Sequence, residues 1–93
     1  MAQYQVLLNG EHFLLNRNGA EGWYGFLKTV YVQADSEDSA AEYAIRQACS
    51  DADFRASVRN PPDQPPALSV EDCAEIEKDP SLQDSPFIYT PEG

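Results

Sequence analysis

Basic residues are scarce in this chain, whose 93 residues include 6 Lys and Arg against 16 Asp and Glu, for a net charge of -10. The imbalance is confined to one part of the sequence. Residues 1–34 are neutral, whereas residues 35–93 carry four basic and fourteen acidic groups. Nucleic-acid binding depends on basic patches that displace counterions from phosphates. We therefore expect no direct binding to DNA or RNA.

Residues suited to catalysis or metal binding are also sparse. His12 is the only histidine, and the sequence around it offers no nucleophile or second acid, which favours a strand or turn histidine over a general base. Cys49 and Cys73 match no usual zinc-ligand spacing. The acidic runs "DSED" and "EDCAEIEKD" lack the alternating oxygen ligands and central glycine of a calcium loop. We expect no metal, no cofactor and no enzymatic activity.

The sequence contains no long apolar run. "MAQYQVLLNGEHFLL" lacks the basic segment and the apolar stretch of a signal peptide, and it is too polar for a transmembrane helix. We expect no membrane association and a cytoplasmic location. Disulfides are rare in that compartment, so Cys49 and Cys73 are expected to stay reduced.

Large apolar side chains are present in numbers that disordered chains lack, because aromatic residues make up 11% of the sequence. A chain of this length supports one core, so we expect a single domain over residues 1–93. "NPPDQPP" at 60–66 contains four prolines and predicts a semi-rigid surface loop. Residues 91–93 are expected to form a flexible tail.

The first half of the chain is typical of strands. Alternation in "QYQVLL" predicts a strand, and Asn9-Gly10 marks a hairpin or a bulge, so residues 3–15 form either two strands or one strand kinked at Gly10. "NRNGAEG" predicts a longer turn. The run at 24–34 is the clearest strand, with Tyr24, Phe26, Lys28, Val30 and Val32 on one face and Leu27, Thr29 and Tyr31 on the other.

The second half of the chain begins with a helix at 36–50. Asp35 or Ser36 caps it, and a further turn can follow through "FRASVR". Its inward stripe is predicted to be Ala41, Ala44, Ile45, Ala48 and Cys49. Residues 67–77 fit an edge strand or, from the capping box at Ser69 and Asp72, a short helix; the sheet's need for a third strand favours the strand. A last short strand is predicted at 86–90.

These elements predict an α+β fold, a small antiparallel sheet of three to four strands with one main helix packed on one face. A single helix leaves the second face uncovered unless loops and the tail cover it. Aromatic and apolar side chains on such a face mark a contact surface. The candidate interaction surface comprises Trp23, Tyr24, Phe26, Leu27, Thr29 and Tyr31.

Three segments, "YQVLLNGEHFLLN", "YGFLKTVYVQADSEDSAAEYAI" and "PFIYTPEG", together resemble a group of short bacterial proteins of about 90–110 residues with no established activity. The resemblance implies a small α+β fold and carries no functional residue. This chain departs from the group at Val30, where the group has a basic residue, and in its proline-rich 60–66 segment. Either change would alter a binding face.

The absence of a catalytic signature and the predicted open face favour a small, non-enzymatic cytoplasmic protein that acts by protein contact or self-association, such as a homodimer. The alternative is an acidic inhibitor or immunity-type protein that blocks a basic site on a nuclease or nucleic-acid-binding partner, because one-sided charge gives fast, salt-sensitive association. A small enzyme built on His12 and the carboxylates is the third hypothesis.

Overall fold

The computed structural model describes residues 1–92, which form a four-stranded antiparallel sheet and two helices. The elements are β1 (Ala2–Arg17), β2 (Ala20–Ala34), α1 (Glu37–Cys49), α2 (Ala52–Ser57), β3 (Ala67–Ile76) and β4 (Ile88–Pro91). The strand order is β3-β1-β2-β4, so β3 and β4 are the edge strands. The predicted α+β class is confirmed, and residues 67–76 form the strand rather than the helix.

A tight hairpin joins β1 to β2. Asn18 and Gly19 both have positive φ, 55° and 84°, which is the conformation that a two-residue type I′ turn requires. Pairing therefore continues up to Arg17 and Ala20. The prediction of a longer turn in this region was wrong, because Asn-Gly alone supplies both left-handed residues.

Residues 2–17 form one long strand, interrupted by a bulge and not by a hairpin. The pairing passes from Gly10 opposite Phe26 to Phe13 opposite Tyr24, so two residues of β1 face one residue of β2. His12 lies in the bulge with φ 58°. A bulge of this kind bends a strand without ending it, and this resolves the alternative left open at Gly10.

Helix α1 lies on one face of the sheet through its smallest side chains. Ser36 is the N-cap, and its hydroxyl accepts a hydrogen bond from the Ser39 amide. The buried residues are Ala40, Ala44 and Ala48. The predicted stripe was thus partly wrong, since Cys49 is exposed and Ala40 takes its place. Among residues 1–92, neither helix combines the length and apolar character needed to cross a bilayer.

The core under the helices has two parts. Beneath α1, aliphatic side chains of β1 and β2 pack against the helix alanines, and Val30 among them is fully buried. Valine at this position therefore belongs to the core and not to a binding face. Beneath α2, an aromatic cluster joins Phe13, Phe26, Phe54 and Phe87. The two parts together cover one face of the sheet along its length.

The predicted surface loop and the predicted flexible tail have different outcomes. Residues 60–66 lie between α2 and β3 outside any helix or strand, as expected for a loop. Pro91, by contrast, pairs with Tyr24 in β4. The Glu92 amide donates to the Trp23 carbonyl at 2.9 Å, so the first two residues of the predicted flexible tail are held against β2. Gly93 lies outside the described residues.

Candidate contact surface

The helices leave the second face of the sheet without a covering element among residues 1–92. Strand pairing sets Gln5 beside Tyr31, Leu7 beside Thr29, Asn9 beside Leu27, and Leu27 beside Ile88. Because side chains alternate between faces along a strand, these residues share the side opposite α1. We call this surface the open face, defined by Gln5, Leu7, Asn9, Leu27, Thr29, Tyr31 and Ile88.

The six predicted contact residues divide between the two faces. Leu27, Thr29 and Tyr31 lie on the open face, and Trp23 lies at its end, since it alternates in phase with them. Leu27 is 43% exposed. Phe26 is 2% exposed within the aromatic cluster, and Tyr24 packs there against Tyr89. Tyr24 and Phe26 therefore do not belong to the open face, because their phase in β2 turns them toward the helices.

Two apolar residues of the open face are absent from the predicted contact surface. Leu7 falls between the buried Val6 and Leu8, and its pairing with Thr29 places it in the middle of the open face. Ile88 is 57% exposed and lies next to Leu27. The signal for Leu7 was available, since it is the one apolar residue out of phase with Tyr4, Val6 and Leu8.

One end of the open face is fixed around the bulge. The His12 ring stacks on the Trp23 indole, with centroids 4.3 Å apart and planes inclined by 16°. The His12 amide donates to the Glu92 carboxylate at 3.1 Å, and the Asn60 side-chain amide donates to the His12 carbonyl at 2.9 Å. His12 is thus a bulge histidine stacked on an aromatic ring, with its backbone tied to two other segments.

The other end of the open face is bordered by the segment that connects β3 to β4. The Gln3 side chain accepts a hydrogen bond from the Asp79 amide at 2.7 Å and donates to the Asp79 carbonyl at 3.4 Å. Farther along, the Asp84 carboxylate accepts from the Tyr31 amide at 2.9 Å. A groove of about 490 Å³ lies between this segment and the ends of β1 and β2. The segment therefore limits the open face to the middle of the sheet.

The fold brings together two acidic runs that the sequence keeps apart. The Cys73 thiol of β3 donates to the carbonyl of Glu37, at the start of α1, at 3.8 Å. Burial, followed by the charges of Glu37, Asp72 and Asp38, raises the pKa of Cys73. The carboxylates of α1 and β3 thus act on the same region. We call this surface the acidic edge, defined by Asp35, Glu37, Asp38, Glu71, Asp72 and Glu75.

The two free thiols are expected to differ in reactivity, because the thiolate is the reactive form. Cys49 is exposed, whereas Cys73 is half-buried and its pKa is raised. At pH 8, iodoacetamide should modify Cys49 at least about tenfold faster than Cys73. Mass spectrometry of timed digests measures both rates. In guanidinium the two rates should converge, and equal rates in the folded protein would contradict this assignment.

Within residues 1–92, no group of three or more His, Cys, Asp or Glu side chains is arranged to hold a metal ion. Among these residues, the carboxylates of the acidic edge are therefore not grouped as metal ligands. Comparison of the chain with protein-family models, curated proteins and solved structures gives no match.

Proposed function

We propose that this chain is a non-enzymatic cytoplasmic protein that acts by protein contact, with the open face as its contact surface. The observation that carries the proposal is the pair Leu27 and Ile88, adjacent across the β2–β4 pairing and 43% and 57% exposed. Contiguous exposed apolar side chains on a sheet face are typical of interaction surfaces.

A second copy of the chain is the simplest occupant. Two chains that each carry a net charge of -10 repel one another. The repulsion is smallest when they meet through a surface with few charges. The seven residues that define the open face are uncharged, and Asp72, which pairs with Leu7, places one carboxylate beside them on the β3 side. A two-fold contact sets one patch against its own copy, and sheets stack face to face through such apolar side chains.

Replacement of Leu27 by lysine is expected to weaken self-association at least about thirtyfold, because a charge would be buried at the centre of the contact. Sedimentation equilibrium over a concentration series measures the dissociation constant. Added salt should tighten the dimer, since it screens the repulsion between the chains.

Tyr43 on α1 provides the matched control, because it is 42% exposed, close to the 43% of Leu27, but lies on the other side of the molecule. Tyr43→Lys should change the dissociation constant by no more than about twofold. A wild-type chain that stays monomeric at every concentration, or equal effects of the two variants, would refute the homodimer.

The acidic edge supports a second candidate function, an inhibitor or immunity-type protein that blocks a basic site on a nuclease or nucleic-acid-binding partner. The supporting observation is that the Cys73 thiol of β3 donates to the Glu37 carbonyl at the start of α1, which brings the acidic runs of the two elements side by side. Such an association weakens as salt rises, opposite to the response expected of the homodimer. A pull-down whose bound partner is retained unchanged in high salt would argue against this candidate.

A further inference from the structure

The outer edge of β3 is the longest unpaired backbone edge of the sheet. β3 has 10 residues and pairs with β1 on one side only. Within residues 1–92, its backbone makes no further backbone hydrogen bond beyond that pairing. An exposed edge presents a row of free amides and carbonyls to any extended chain.

The opposite edge of the sheet is less available. β4 has only 4 residues. Beyond it, the β2 amides of Thr29 and Tyr31 already donate to the side chains of Ser85 and Asp84, at 2.8 and 2.9 Å. An added strand therefore finds the longer free edge on the β3 side, where the register shifts once, at Glu71.

The charge of this edge selects the kind of strand that can pair with it. Residues 67–76 include Glu71, Asp72 and Glu75 and no basic residue, and the acids of the α1 N-terminus lie beside them. A second copy of β3 would set like charges opposite each other, which destabilises a strand pair. A strand rich in Lys or Arg would bring opposite charges into register.

We propose that the outer edge of β3 binds an extended basic peptide segment, which joins the sheet as a fifth strand. Its backbone pairs with β3, and its Lys or Arg side chains contact Glu71, Asp72 and Glu75. Backbone hydrogen bonds supply affinity in this mode of recognition, and the side chains supply specificity. The inference rests on the second candidate function and deepens it, because it names the surface and the conformation of the partner.

The test uses the full chain, labelled with ¹⁵N, and a capped ten-residue peptide in which pairs of lysines alternate with single threonines, so that lysines lie on both faces of the added strand. A control peptide of the same sequence carries N-methyl groups on two adjacent central residues, so that it keeps its charge but loses a backbone donor on either edge. The unmodified peptide should slow amide hydrogen exchange in β3 at least about tenfold at saturation. The control should bind at least about tenfold more weakly.

Paired variants separate the acidic edge from net charge. Glu71→Gln with Glu75→Gln should weaken binding of the unmodified peptide about tenfold. Glu21→Gln with Asp63→Asn makes the same change in net charge at exposed sites outside β3 and should leave binding within about twofold. Equal affinity for the two peptides would overturn strand addition while leaving a charge-based contact in place. Absence of binding by either peptide would overturn the contact as well.

Discussion

Phe26→Ala is expected to lower the free energy of unfolding by about 4 kcal/mol, the usual cost of removing a buried phenylalanine ring. The ring is 2% exposed and lies between 5.0 and 5.4 Å, centroid to centroid, from the rings of Phe13, Phe54 and Phe87. Those three residues come from β1, α2 and the segment before β4. One substitution therefore loosens the contact between three parts of the chain, and none of their rings can fill the space alone.

A domain of this size is stable by about 5–14 kcal/mol, so the Phe26 variant should lose a large fraction of its stability. Urea denaturation followed by circular dichroism measures the change. Leu27→Ala is the matched control, because Leu27 is the next residue in β2 but is 43% exposed on the open face. It should cost no more than about 0.5 kcal/mol. Equal losses in the two variants would contradict the assignment of these neighbours to opposite faces.

The elements of the fold could be predicted from the sequence because each has a local cause. Alternation from Tyr4 to Leu8 and from Phe26 to Val32 fixed which side chains of β1 and β2 are buried together. The sequence marks Asp35 and Ser36 as candidate caps, and Ser36 is the one that caps α1. Asn18-Gly19 and Asn9-Gly10 have the same dipeptide sequence, yet Asn18-Gly19 forms a turn and Asn9-Gly10 precedes a bulge. The difference depends on which strands pair, and the local sequence does not specify that.

The composition of the contact surface could be predicted only in part, for the same reason. Alternation along β2 places Leu27, Thr29 and Tyr31 on the opposite face from Phe26. The sequence does not show which of these two faces the helix will cover. Ile88 joins Leu27 only through the pairing of β4 with β2. The acidic edge likewise depends on β3 lying beside the start of α1, although about 34 residues separate Glu37 from Glu71 along the chain.

The two proposed surfaces of this molecule are physically distinct. The open face has few charges, with Asp72 at its β3 side, and presents side chains, so its occupant would gain mainly from apolar burial. The edge of β3 presents backbone groups within an acidic field, so its occupant gains from hydrogen bonds and charge. Raising the salt concentration is expected to strengthen the first proposed contact and to weaken the second. The two proposals therefore predict opposite responses to salt, and a salt series distinguishes them.

Gly10→Ala is the other substitution with a large expected effect, a loss of about 3 kcal/mol from overpacking. Gly10 lies opposite Phe26 in the β1–β2 pairing, and a Cβ built there would be 2.2 Å from Cε2 of the ring. The neighbouring aromatic rings hold Phe26 in place, so the ring cannot move aside at low cost. A Cβ built at Gly19 would have no neighbouring atom within 4 Å, and φ there is +84°. Gly19→Ala should therefore cost about 1 kcal/mol through backbone strain alone.

A double-mutant cycle tests whether the glycine is required by that ring. In the Phe26→Ala background the space above Gly10 is empty, so adding Gly10→Ala should cost less than about 0.5 kcal/mol, which gives a coupling energy of about 2–3 kcal/mol. All four proteins should be measured in the same concentration of a stabilising osmolyte, so that the weakest variant stays folded. Additive losses would mean that the new methyl group meets something other than Phe26. Strong coupling would identify Gly10, just before the bulge, as the place where β1 makes room for the aromatic cluster. This would explain why β1 carries glycine where the paired positions of β3 and β2 carry Leu68 and Phe26.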